Sequence, residues 1–139
     1  MLMSNKGTIP NLSAIKGLTS LSLQHNEISG TIPTWLGSFR TLQKIELNNN
    51  NIHGTICTEL VDLAFLQFLN ISHNQITGTF PRPLATVPLL NRIDVSHNQL
   101  TGEIPKVCVC VRVCLHWKIY CTIALYMVLT LLLWFNFRS

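Results

Sequence analysis

The strongest constraint on this chain is a period. Asn26, Asn50, Asn74 and Asn98 stand 24 residues apart, each inside the same local pattern. The four segments are LTSLSLQHNEISGTIP (Leu18 to Pro33), LQKIELNNNNIHGTIC (Leu42 to Cys57), LQFLNISHNQITGTFP (Leu66 to Pro81) and LNRIDVSHNQLTGEIP (Leu90 to Pro105). A unit this short cannot bury its own apolar side chains. Successive units must therefore stack and share one continuous core.

Within each unit, alternation over five or six residues marks a strand with one face inward. Leu21 with Leu23 is the inward pair of the first unit, followed by Ile45 with Leu47, Leu69 with Ile71, and Ile93 with Val95. The asparagine that follows is polar in an apolar register, and its amide has donors and an acceptor to satisfy. Backbone groups of the turn are its expected partners, so Asn26, Asn50, Asn74 and Asn98 read as structural. Gly30, Gly54, Gly78 and Gly102 then mark a conformation or a close approach that a side chain would forbid. Pro33, Pro81 and Pro105 end the extended piece, with Cys57 in the corresponding place of the second unit, as a small semi-buried residue. Behind them, apolar residues recur at every third position: Leu36, Phe39, Leu42; Leu60, Leu63, Leu66; Leu84, Val87, Leu90. That spacing predicts short helical or 3₁₀ turns on the convex side, and Pro83 and Pro88 favour a short irregular turn in the last.

The segments resemble the plant-type leucine-rich repeat, L-x-x-L-x-L-x-x-N-x-L-x-G-x-I-P, over roughly residues 7 to 105. The resemblance implies an α/β repeat solenoid: a short leucine-rich-repeat superhelix with a parallel concave β-sheet. Its closest families are plant receptor-like kinases and receptor-like proteins, which implies recognition of a protein or peptide ligand, with a co-receptor as a further partner. Secreted inhibitors of polygalacturonase-like enzymes fit as an alternative, and a gene fragment without independent function as a third. A genuine membrane tail would favour the receptor, and detergent-free solubility the inhibitor.

Both ends depart from the period. Residues 1–17 contain GTIPNLSAIKG, a degenerate partial repeat whose Gly7 and Pro10 lie 23 residues before Gly30 and Pro33. The missing residue falls just after Pro10, and Met3 stands where the asparagine belongs. No charged start followed by an apolar run precedes it, so the front reads as cut away. Residues 18–105 hold the four regular repeats, and residues 106–118 read as a basic, Cys-rich linker. Positions 119–137 form an uncharged, mostly apolar run of 19 residues, long enough for a transmembrane helix.

The charge distribution follows the same division. Residues 1–105 contain six Lys or Arg and six Asp or Glu, so the net charge of +4 comes from Lys106, Arg112, Lys118 and Arg138. No basic patch in the repeats supplies the phosphate contacts that nucleic-acid binding requires. Cations before the apolar run would place the repeats in the cytoplasm. The family resemblance implies the opposite, a plasma-membrane protein with extracellular repeats. A third reading needs no membrane: the alternation of Val, Cys and Arg after Lys106 is what a GT-rich nucleotide run would encode. A splice donor at codon 106 would make the tail translated intron.

Catalysis has no motif here: no nucleophile elbow, metalloprotease signature, phosphate loop or kinase signature. We therefore expect no enzyme activity and no cofactor. His25, His73 and His97 share the position before the asparagine, but Asn49 interrupts the column and no third ligand is in register, so no metal is expected. Cys108, Cys110, Cys114 and His116 lack the paired C-x-x-C arrangement of a strong zinc signal. Cysteines beside a membrane span are also palmitoylation candidates. Asn11-Leu12-Ser13 and Asn70-Ile71-Ser72 are sequons, which makes Asn11 and Asn70 glycosylation candidates on the secretory route.

Outward positions of the strands define the candidate ligand surface. They are Ser20, Ser22 and Gln24; Lys44, Glu46 and Asn48; Phe68, Asn70 and Ser72; Arg92, Asp94 and Ser96, with His25 and its equivalents as a fourth column. Phe68 is an aromatic at an outward position between two cations. Aromatic and Arg residues are enriched at binding hot spots, which nominates Phe68 and Arg92 as anchors. Four columns over four repeats give 16 residues, against about 20 to 30 per side for a standard interface. Alone, this stretch should bind weakly.

Overall fold

The computed structural model describes residues 6–103 and, as backbone, a strand at 112–114. Nine three-residue strands follow in chain order: β1 (Lys6–Thr8), β2 (Ser20–Ser22), β3 (Glu27–Ser29), β4 (Lys44–Glu46), β5 (His53–Thr55), β6 (Phe68–Asn70), β7 (Gln75–Thr77), β8 (Arg92–Asp94) and β9 (Arg112–Cys114). β2, β4, β6, β8 and β9 form one parallel sheet. Its register places Ser20 beside Lys44, Lys44 beside Phe68, Phe68 beside Arg92, and Arg92 beside Arg112.

The alternation that suggested these strands sets their inner face. Ile45, Leu47, Leu69, Ile71, Ile93 and Val95 are buried, while Leu23 in the first coil is only partly so. Each complete coil adds further buried residues from its remaining turns. Ile52, Ile56, Leu60, Leu63 and Leu66 in one coil are matched by Ile76, Phe80, Leu84, Val87 and Leu90 in the next. Full burial of one such side chain is worth about 1.5–3 kcal/mol, which makes this shared column of apolar residues the main source of stability.

The helical layer consists of 3₁₀ turns of five residues, Thr34–Ser38, Thr58–Asp62 and Arg82–Thr86, at the positions where the three-residue apolar spacing predicts them. No described helix is long and apolar enough to cross a membrane. The candidate span 119–137 lies outside the described residues, as do Cys108, Cys110 and His116.

A second row of strands runs along the coil side after each asparagine. β1 pairs with β3 and β5 with β7, all in parallel. The N–H groups of Asn51 and His53 bond the Ile28 and Gly30 carbonyls, both at 2.8 Å, and so tie β3 to the next coil. Glycine belongs in or just after this row for two reasons, shown by Gly54 within β5. Its φ is +80°, and a Cβ there would stand 2.8 Å from Thr31 Cγ2. The same contact joins Gly30 to Thr8, one residue closer in sequence than in the later coils.

The main sheet does not stop where the 24-residue period does. β9 lies in residues 106–118, read from sequence as a linker, and its backbone pairs with β8 at a spacing of 20 residues, Arg92 to Arg112.

Candidate functional site

Each concave strand is short because the chain must turn immediately after it. The turn is made by His25, Asn49, His73 and His97, all left-handed, with φ between 52° and 57°. Among non-glycine residues, Asn, Asp and His are enriched in that conformation. This explains the histidine column without a metal. The N–H of His25 bonds the Asn48 carbonyl, that of Asn49 the Ser72 carbonyl, and that of His73 the Ser96 carbonyl, each at 3.0 Å. The His73 and His97 rings stack with centroids 4.0 Å apart and planes 14° from parallel. Among the described residues no group of three or more His, Cys, Asp or Glu could hold a metal ion.

The four asparagines follow the turn and face inward. Asn74 Oδ1 accepts the Ile52 N–H (2.9 Å), and its Nδ2 donates to the carbonyls of Leu47 (3.0 Å), Ile71 (3.2 Å) and Ser72 (3.1 Å). Asn50 repeats this toward the coil before it, accepting from Ile28 and donating to the Leu23 and Leu47 carbonyls. Asn98 accepts from Ile76 and donates to the carbonyls of Ile71 and Val95. Asn26 donates to the carbonyls of Leu23 and Gln24 within its own turn. Bonds within the turn are thus joined by bonds to the preceding coil, which sequence alone did not reveal.

On the concave face, β2, β4, β6 and β8 bring Ser20, Lys44, Phe68 and Arg92 into one row, and Ser22, Glu46, Asn70 and Asp94 into the row beside it. Lys44 Nζ lies 5.7 Å from the Phe68 ring centroid and Arg92 Cζ 5.2 Å from it, so a cation from each neighbouring strand lies over the ring. Phe68 is consequently half-buried rather than freely exposed.

Glu46 is held from two directions. Ser22 Oγ donates to Oε2 at 2.9 Å, and Lys44 Nζ pairs with Oε1 at 3.1 Å. Desolvation pushes the carboxyl up, but the two hydrogen bonds and the Lys44 charge outweigh it and hold Glu46 below its ordinary value.

Ser72 and Ser96 depart from the expected outward placement, because both are buried. Their hydroxyls turn back to Asn70 Oδ1 (2.8 Å) and Asp94 Oδ1 (2.7 Å), and their N–H groups bond the same oxygens at 3.1 Å. The chain leaves the strand at this point, so strict alternation no longer sets which side is out. Gln24 and Asn48, the equivalents in the first two coils, remain partly exposed. Of the two sequon asparagines, Asn11 is exposed, with Oδ1 accepting the Ser13 N–H at 2.9 Å, whereas Asn70 is half-buried on the concave face.

Cys57 is half-buried, with Sγ 3.9 Å from the Pro33 carbonyl oxygen. Burial, with Glu59 nearby, pushes its thiol up to about 11, the behaviour of an inert packing residue rather than a nucleophile.

The family model described as Leucine rich repeat matches residues 16–76, and a second of the same description matches residues 89–110. No curated protein sequence is significantly similar to the chain. Among solved structures, the BIR2 ectodomain from Arabidopsis thaliana is 34% identical with a TM-score of 0.72, over 73% of this chain and 54% of that one. The plant peptide hormone receptor RGFR1 in complex with RGF2 is 35% identical with a TM-score of 0.75, over 79% of this chain and 18% of the receptor. The ectodomain of the Arabidopsis receptor kinase HAESA, in complex with an N-terminally extended IDA peptide hormone, is 34% identical with a TM-score of 0.74, over 80% and 19%. The chain therefore spans about half of the first and under a fifth of the other two.

Proposed function

The chain is a plant-type leucine-rich-repeat protein, and on that premise we propose that its coils serve as a non-catalytic recognition module for a peptide or protein ligand. The observation that carries this reading is the concave row in which Phe68 stands between Lys44 and Arg92. Neighbours solved with peptide hormones, and the BIR3–SERK2 complex, support a peptide ligand with a second receptor chain as partner. Because several of those neighbours are receptor ectodomains, the reading places the repeats outside the plasma membrane.

The burial of Ser72 and Ser96 reduces the 16 outward positions to 14, further below the roughly 20 to 30 residues of a standard interface side. Contact with these coils alone should be weak, and a second chain would supply the missing area. The test is selection of peptides from a random display library on the full chain, followed by affinity measurement on Phe68→Ala and Ser20→Ala. A loss of about tenfold or more for Phe68→Ala and none for Ser20→Ala is expected. Equal losses would overturn the anchor.

A further inference from the structure

Resting on that reading, we propose that the concave row takes an acidic peptide laid across the coils, with a carboxylate side chain at the Arg92 end and an apolar side chain against the rim of Phe68. Charge bookkeeping along the row points there. Among the described residues the ion pairs are Lys6 with Glu27 and Lys44 with Glu46. Lys44 is therefore already neutralised, and Glu46 is further occupied by Ser22. Arg92 has no such pair. Asp94, two residues along the same strand, has its Oδ1 turned to the Ser96 N–H and hydroxyl.

The register then places a second arginine, Arg112 of β9, in the row position beside Arg92, about 4.8 Å away at the spacing of neighbouring strands. Arg92 is thus a cation with no carboxylate paired to it among the described residues, next to the row's single aromatic. A guanidinium accepts a carboxylate through two parallel N–H···O bonds, which gives orientation as well as attraction. An extended peptide advances about 3.3 Å per residue. Successive side chains point to opposite sides, so alternate residues, about 6.6 Å apart, put a carboxylate at Arg92 and an apolar group one coil back at Phe68.

The test uses the full chain and three fluorescein-labelled probes read by fluorescence anisotropy at low salt. One is the peptide Gly-Glu-Gly-Leu-Gly-Glu-Gly, which sets Glu and Leu on one face, and the others carry Gln or Lys in place of both Glu. The acidic probe should bind about tenfold tighter than the Gln probe, and its affinity should fall as salt is raised. Arg92→Gln should remove most of that preference, Arg92→Lys should keep part of it, and Ser20→Ala should cost nothing. Circular dichroism confirms that each variant keeps its fold. Equal binding of the three probes, or an acidic preference that survives Arg92→Gln, overturns the proposal. If the Gln or Lys probe binds at least as well and is weakened by Phe68→Ala, only the acidic specificity falls. If no probe shows a Phe68-dependent affinity, the recognition reading falls with it.

Discussion

Replacing Asn74 by alanine removes a carboxamide that joins two coils, and its cost follows from the bonds it makes. Oδ1 accepts the buried Ile52 N–H at 2.9 Å, and the two protons of Nδ2 serve the carbonyls of Leu47, Ile71 and Ser72 at 3.0–3.2 Å. Counting one accepted and two donated bonds at about 0.5–1.5 kcal/mol net each gives about 1.5–4.5 kcal/mol. The Ile52 N–H, left buried without a partner, adds about 1–3 kcal/mol. These contributions overlap within one network, so we expect a loss of about 3–5 kcal/mol rather than their sum. With a urea m-value of about 2 kcal/mol/M, the unfolding midpoint should drop by about 2 M. Urea titration followed by far-ultraviolet circular dichroism measures it, with Gln75→Ala as control. Gln75 is exposed and bonds Ile52 through its own backbone, so that variant should move the midpoint little. A loss below about 1 kcal/mol for Asn74→Ala would refute the reasoning, because water or a rearranged turn would then be satisfying the Ile52 N–H.

The other expectations concern three further sites. Gly54→Ala should cost at least the roughly 1–2 kcal/mol of a left-handed L-residue plus its contact with Thr31 Cγ2. Adding Thr31→Ser should recover only the contact part, and equal stability of Gly54→Ala and the parent would contradict this. The Glu46 carboxyl is held below its ordinary value, so its stabilisation is complete above the unfolded value near 4.5 and is lost as pH falls through the lower folded value. Urea midpoints measured across acidic pH should therefore show less acid sensitivity for Glu46→Gln than for the parent, and parallel curves would argue against it. With its thiol pushed up to about 11 from 9.0, Cys57 should alkylate about a hundredfold more slowly at pH 8 in the folded chain than in urea. Peptide-resolved mass spectrometry reads this site separately from the other four cysteines.

The concave sheet was legible in the sequence because two signals coincided: period-2 alternation within each strand and a 24-residue repeat that fixed the register between strands. Lys44, Phe68 and Arg92 therefore fall in one row on the sequence pattern alone. The second row of strands was not legible, because β5 reads His53-Gly54-Thr55 and its pairing depends on carbonyls supplied by another coil. Ser72 and Ser96 were misplaced where the strand ends. Alternation says nothing about a chain about to enter a left-handed turn at His73 or His97. A signal for that turn was present: His, Asn, His and His at one repeat position is a column of residue types that tolerate positive φ.

The asparagine bonds that link one coil to the last carry a consequence for how such a chain can change over time. Every group that Asn50, Asn74 and Asn98 are seen to bond in the preceding coil is a backbone N–H or C=O, never a side chain. Attachment is therefore indifferent to what the neighbouring coil displays. Whole coils can be duplicated, lost or exchanged in 24-residue steps, and the outward residues rewritten, without renegotiating those bonds. Specificity can drift on one face of the molecule while the asparagine column on the other side of the strand stays fixed.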